Sequence, residues 1–342
     1  MPRLSLLAPS HTPGPCPGDA DVTRESRDNP TENGGYVVMQ TVSGYLHPDY
    51  AASLSEFGTP RFLPRSGGWV LVRQIPGFPD RDATGCYPLF ACRDWSLLHA
   101  DLEDLGRDLT SVAIVADPFG DYDVGYLRQC FPDVVLPFKE HFVVDLSRPI
   151  LEHVSSHHRR NVRKALENVR VETCEVPAEY LDDWTELYGN LVRRHDIKGI
   201  RAFSKQAFSR QLNIPGRVVF RAVHRQSTVA MAIWFVQGEA SYYHLGASSE
   251  LGYQLKASFA LFWQALEFFS ATGLRWSDLG AGAGISSNNL DGLNRFKQGW
   301  ATGTRLVYFC GRILDQERYA EILRTMGSSS SYFPAYRAGE FS

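Results

Sequence analysis

The chain lacks the marks of several protein classes. None of its six cysteines (Cys16, Cys86, Cys92, Cys130, Cys174 and Cys310) forms a Cys-x-x-Cys pair or has a histidine at metal-ligand spacing. Thiols scattered in this way exclude a zinc ribbon and a disulfide frame, and read as reduced cysteines of a cytoplasmic protein with no metal. There is no apolar run long enough to span a membrane, and the stretch from Leu4 to Ala8 is too short for a signal-peptide core. Nor does one sign of charge dominate. A formal net charge of -3 excludes general affinity for nucleic acid or anionic membrane, so any basic patch is local. Residues 1–35 hold no Phe, Tyr or Trp but six prolines. Such a segment buries too little apolar surface to offset its ordering entropy, and we expect a disordered tail.

What remains is long enough for two domains with separate cores. No stretch rich in Gly or Pro divides the body from about Tyr36 to Met326, and a second loose tail is expected over 327–342, where Gly327 is followed by four serines. Two α+β halves are legible, 36–150 and 151–326. In the first, 69–72, 112–115 and 134–136 read as strands, and Trp95, Leu98, Leu102 and Leu105 have helical spacing. The second half opens with a helix over about 178–194. Three strands follow (218–223, 229–236 and 240–245), joined by turns short enough for an antiparallel meander. A helix over about 255–271 is apolar nearly all round and is expected to be buried. Gly273 suits its C-cap, and a strand ending in Trp276-Ser277-Asp278-Leu279-Gly280 comes next.

The richest chemistry lies just beyond, in Asp291-Gly292-Leu293-Asn294-Arg295-Phe296-Lys297-Gln298-Gly299-Trp300. A lysine between aromatic residues, near an acid at a strand end, suits polarising a carbonyl or an oxyanion. Asp278 can hold an amine nucleophile or orient Lys297, or it can simply cap a turn beside the loop Gly280 to Gly284. Tyr242 and His244 share one face of their strand. His244 has the titration range of a general base, though a hydrogen-bonded core histidine is the more ordinary reading. The densest positive charge is His157-His158-Arg159-Arg160 with Arg163 and Lys164. On a helix, Arg159 with Arg163 and Arg160 with Lys164 fall at i,i+4 spacing and form one basic face. That face can grip the phosphates of a tRNA or of coenzyme A, or be a solvated surface.

Three stretches carry a resemblance to a known family: His158 to Ala165; Trp184 to Arg194 with Ala202-Phe203-Ser204; and Tyr242-Tyr243-His244-Leu245-Gly246-Ala247-Ser248 through Phe296-Lys297. In order and spacing they resemble the Fem-like branch of the GNAT acyltransferase superfamily, which includes peptidoglycan-bridge aminoacyltransferases and tRNA-dependent enzymes of antibiotic biosynthesis. The resemblance implies an α+β fold of tandem GNAT-like domains, each a mixed, mostly antiparallel sheet with flanking helices. It also implies an amide-forming N-acyltransferase with no tightly bound cofactor. The co-substrate would be aminoacyl-tRNA, and the acceptor an amine of a small molecule or of a cell-wall precursor. Lys297 would face the oxyanion, with Tyr242, Asn294, Phe296 and Trp300 around the substrate. Two other readings stay open: an acetyl- or acyl-CoA-dependent GNAT N-acetyltransferase, and a non-catalytic binding module. Glu250 to Ser258 stands where CoA-dependent members carry a glycine-rich phosphate turn. It keeps Gly252 but has bulky residues where backbone would approach phosphate.

Overall fold

The computed structural model describes residues 42–282, 292–327 and 330–340. The expected N-terminal tail, Gly284 and Asp291 lie outside the described residues. The first half contains α1 (Pro48–Ser53), β1 (Thr59–Phe62), β2 (Trp69–Gln74), β3 (Arg81–Gly85), α2 (Leu98–Leu105), β4 (Ser111–Val115), α3 (Val124–Cys130) and β5 (Val134–Asp145). The second begins with α4 (Ile150–His153), α5 (Ser156–Leu166), β6 (Arg170–Thr173), α6 (Leu181–His195) and α7 (Lys205–Gln211). It continues through β7 (Arg217–His224), β8 (Ser227–Gln237), β9 (Ala240–Ser248), α8 (Glu250–Gln254), α9 (Ala257–Ala271) and β10 (Trp276–Gly280). It closes with α10 (Gly292–Gln298), β11 (Gly303–Ile313) and α11 (Gln316–Met326).

Local chemistry accounts for the second half. Arg225 and Gln226 both take positive φ, as a two-residue hairpin turn requires, and Gly238 opens the next one. In α9 the buried residues run round the helix, from Ala257, Ala260 and Leu261 to Ala265, Leu266 and Phe269. The helix ends before Gly273, whose φ of 79° releases the chain into β10.

Each half repeats one order: an antiparallel meander, a helix, a strand parallel to the meander's last, a short helix, and a long strand. In the first half this is β1-β2-β3, α2, β4, α3 and β5, with β4 parallel to β3. In the second it is β7-β8-β9, α9, β10, α10 and β11, with β10 parallel to β9. The long strands change places. β11 lies against β4, β5 lies against β10, and the two pair antiparallel with each other, so one sheet of eleven strands runs β1-β2-β3-β4-β11-β5-β10-β9-β8-β7-β6. This is the expected tandem fold, with the halves fused through their final strands.

Alternation along β11 sorts the cores. Tyr308 and Cys310 join the core under α2 and α3, on the side where Phe142 and Val144 of β5 meet the α9 core. Val307 points the other way, into the core under α1, α6 and α7. We call the α2/α9 side face A and the α1/α6/α7 side face B. Cys86, Cys92, Cys130, Cys174 and Cys310 are all free and buried. Among the described residues no helix is long and apolar enough to cross a membrane.

The segment after Gly327 differs from the loose tail expected of it. Over residues 330–340, Tyr336 is buried and bonded to the Ser111 hydroxyl at 2.7 Å, and Arg337 pairs with the buried Asp82. The serines that suggested looseness are followed by Phe333 and Tyr336, which supply the apolar surface that docks the segment against α11.

Candidate functional site

β9 and β10 pair only from Ala240–Trp276 to Tyr242–Asp278, although β9 runs on to Ser248. Beyond Tyr242 the strands separate, and Gly280, with φ of 71°, turns the chain away from β9. β9 also bulges there. His244 is one residue too many for β8, where Ile233 faces Leu245 but Trp234 faces Tyr243. A bulge beside a strand gap re-aims side chains and frees backbone groups, a frequent setting for a binding site.

Lys297 reaches this gap from face A. Its side chain is buried (6% exposed), its Nζ donates to the Ala281 carbonyl at 2.5 Å, and it sits 5.7 Å from the centre of the Tyr243 ring. The Asn294 side chain lies against Gly282, where a Cβ would collide with it. Phe296 and Trp300 turn inward: they pack on Phe259, Phe262 and each other. They hold the helix of Lys297 in place, and the ring that faces the ammonium is Tyr243, which the sequence reading passed over.

The basic helix α5 is clamped to α10 by His158. The Phe296 carbonyl can only accept, so His158 donates from Nε2, at 2.8 Å, and its Nδ1 accepts from the Ser155 hydroxyl at 2.9 Å. Burial lowers the pKa of this ring and the tautomer is neutral, so His158 leaves the basic run and becomes a structural link. Gly299 permits the contact, since a Cβ there would run into the imidazole. Arg160, Arg163 and Lys164 are exposed on the outer side of α5, and Arg159 is half-buried, donating to the Leu151 carbonyl at 2.6 Å. Lys164 also lines a shallow pocket with Gln254 and Lys256.

Asp278 and Tyr242 stand on face B, the opposite side of the sheet from Lys297. Asp278 does not orient the lysine as the sequence suggested. It takes the Nδ1–H of His141 at 2.9 Å and the Gly280 N–H at 2.7 Å. Tyr242 donates to Asp117 at 2.9 Å, and Gln237 reaches the same carboxylate at 3.3 Å. Burial pushes Asp117 up to about 6, helped by the charge of Asp278 and opposed by bonds from the Phe119 N–H and Tyr242. Arg305, opposite His141 on β11, lies over the rings of Phe119 and Trp276 at 4.2 and 4.7 Å. The sequence reading missed Asp117 and His141. Asp117 carried the signal that drew attention to Asp278, an acid at a strand end followed by a glycine-containing turn.

His244 is a core residue, not a base. Its Nε2 donates to the Gln211 side-chain oxygen at 3.2 Å, and its Nδ1 accepts from the Tyr45 hydroxyl at 3.3 Å, inside a box with Tyr50, Phe203 and Phe235. Burial pulls its pKa down to about 3. The unfolded chain therefore takes a proton near pH 6.5 that the native state refuses. Stability from this site is complete above about pH 6.5 and is lost progressively as pH falls toward 3. We expect thermal denaturation to show a falling Tm between pH 7 and pH 5, with a shallower slope in His244→Gln. An unchanged slope would place the acid sensitivity elsewhere.

In the α8 turn that precedes α9 the chain does not present an open phosphate cradle. The backbone N–H groups of Gly252, Tyr253, Leu255 and Lys256 are bonded to Ser249, Leu251 and Tyr253, and Gly252 packs so closely on the Val229 carbonyl that a Cβ would overlap it. Lys256, in the left-handed conformation at the helix N-cap, sends its ammonium to Asn161 of α5 at 2.6 Å.

Comparison with known proteins agrees with this fold. Residues 153–298 match the model of a GNAT acetyltransferase domain. Among solved structures, FemX superposes with a TM-score of 0.60 at 15% identity, covering 83% of this chain and 94% of that one. The C-terminal domain of a putative lysylphosphatidylglycerol synthetase from Agrobacterium fabrum gives a TM-score of 0.54 at 16% identity, covering 81% and 91%. L-PGS from Bacillus licheniformis gives 0.50 at 14% identity, covering 84% and 98%. No curated protein matches the sequence.

Proposed function

From the premise that this chain carries a GNAT acetyltransferase domain and is Fem-like in fold, we propose that it transfers an aminoacyl group from aminoacyl-tRNA to an amine. The acceptor is a small molecule or a cell-wall precursor. In this reading the acyl ester enters the gap between β9 and β10. The amine attacks the ester carbon, a tetrahedral oxyanion forms, and the tRNA hydroxyl departs. The ester is already activated, so positioning and oxyanion stabilisation supply most of the acceleration. Lys297 sits where a cation would meet that charge, and its burial strengthens the interaction by excluding water.

The observation that carries the choice of donor is α8. A coenzyme A pyrophosphate needs free backbone N–H groups in the turn that leads into the helix, and in the α8 turn before α9 those of Gly252, Tyr253, Leu255 and Lys256 are engaged within the chain. The exposed Arg160, Arg163 and Lys164 of α5, a helix tied directly to α10, favour a larger polyanion instead.

The test offers the protein two donors in parallel: total tRNA charged with labelled amino acids, and labelled acetyl-CoA. Label passing from tRNA to an amine supports the proposal, and label passing only from acetyl-CoA sinks it in favour of a CoA-dependent GNAT enzyme. Filter binding of tRNA gives a second measure. We expect Arg160→Glu with Lys164→Glu to weaken retention and to reduce the slope of log affinity against log salt by about one for each phosphate no longer gripped. Retention and slope unchanged from wild type would make α5 a solvated surface.

A further inference from the structure

On face B, away from Lys297, a second set of reactive groups converges from both halves of the sheet. Asp278 of β10 holds the Nδ1–H of His141 of β5 at 2.9 Å, which fixes the tautomer and leaves Nε2 with a free lone pair. His141 is 9% exposed, and among the described residues its Nε2 makes no hydrogen bond, yet it is not one of the sealed-off polar atoms. A buried carboxylate aligning a histidine whose far nitrogen meets solvent is the arrangement of a general base.

The position suits the reaction. The Gly280-Ala281 segment at the rim of the β9–β10 gap is held from both faces. Asp278 grips its Gly280 N–H from face B, Lys297 grips its Ala281 carbonyl from face A, and Lys139 reaches the Gly282 carbonyl at 3.4 Å. We propose that His141, positioned by Asp278, is the general base that deprotonates the acceptor ammonium, which enters from face B while the acyl donor meets Lys297 from face A. This rests on the acyl-transfer reading above. One proton passes from the ammonium to Nε2, and the freed lone pair forms the C–N bond. The ester C–O bond then breaks, a second N–H proton goes to the departing hydroxyl oxygen, and His141 returns its proton to solvent.

The groups facing this base are Asp278 from β10, Asp117 after β4, Tyr242 from β9, Tyr45 beside α1, Lys139 from β5 itself and Arg305 from β11. Two carboxylates favour an incoming ammonium. The half-buried Phe119 and Trp276, with Arg305 over their rings, wall the approach.

The experiment compares two acceptors with the donor that the wild type uses. Methylamine is protonated at neutral pH and needs a base, whereas hydroxylamine is already largely neutral. For His141→Gln we expect a loss on the order of 10²-fold or more in transfer to methylamine, together with loss of the acidic limb of its pH profile. Transfer to hydroxylamine should fall by much less. Asp278→Asn should show the same selectivity, because the amide no longer fixes the tautomer. Equal losses with both acceptors, or none with either, overturn the assignment of His141 while leaving acyl transfer standing. A wild type that uses neither aminoacyl-tRNA nor acetyl-CoA overturns the reading on which it rests. Diethylpyrocarbonate labelling of the wild type, mapped by mass spectrometry, should reach His141 before His158 and His244. An unlabelled His141 also overturns the proposal.

Discussion

Replacing Lys297 with alanine is expected to lower turnover on the order of 10²-fold or more while leaving the fold intact, as removal of an oxyanion-stabilising group does. The size follows from the setting. The ammonium is buried and held at 2.5 Å from the Ala281 carbonyl, above the Tyr243 ring, so its direction is set before substrate arrives. A preorganised cation in a site with little water acts on developing charge with little screening. Single-turnover kinetics with saturating donor separate chemistry from binding, and near-UV circular dichroism reports whether the aromatic packing of α10 survives. Phe296, Trp300 and His158 hold that helix without help from the lysine, so packing should persist. Lys297→Arg should recover little, because a planar guanidinium does not fit a place shaped for a point charge between Gly280 and Tyr243. Unchanged kinetics in folded Lys297→Ala would remove this residue from the mechanism.

The largest effect on stability is expected at the other end of the sheet. Asp82 of β3 is fully buried; Arg337 donates to it through two nitrogens, one at 2.8 Å, and also donates to the Gln74 carbonyl at 2.9 Å. Arg73 lies 3.4 Å from the same carboxylate. Removing one member of a buried ion pair leaves the other charge without its partner, a loss of about 3–5 kcal/mol. Arg337→Ala should therefore lower Tm on the order of 10 °C, at about 2–4 °C per kcal/mol for domains of ~200 residues. The double variant Asp82→Leu with Arg337→Met should recover much of the loss, since the buried carboxylate and its main partner leave together and Arg73 keeps its ion pair with Glu340. Denaturant melts of the three variants would decide it. A Tm drop in Arg337→Ala that the double variant fails to reverse would assign the effect to lost packing of the C-terminal segment.

The meander β7-β8-β9, the buried helix α9 and the strand that ends at Gly280 were legible in the sequence because each rests on local periodicity or turn chemistry. β5 was legible only at its start, Val134 to Leu136. Pro137, Lys139 and Glu140 obscure the rest of its twelve residues, and Pro137 is accommodated at a bulge opposite β11. The pairing of His141 with Asp278 spans 137 positions, and no pattern of spacing reaches so far. His158 was hidden for a different reason. Its neighbours are cationic, so it read as part of a charged face until the Phe296 carbonyl fixed its tautomer. Lys297 and Asp278 were both picked out from sequence, yet their separation onto two faces follows from a three-dimensional fact, the turn at Gly280.

The exchange of β5 and β11 bears on how the chain comes off the ribosome. When residues 42–150 have emerged, β4 still waits for a neighbour that is 150 or more positions further along, and β5 has neither of its partners. For that interval one edge of β4 and both edges of β5 stand open, the condition under which nascent chains pair with the wrong partner. Residue 313 must be made before the slot can close. The order of synthesis thus makes the final strand a lock: the eleven-stranded sheet becomes continuous only when β11 enters between β4 and β5, so a product truncated before β11 would leave the sheet in two parts.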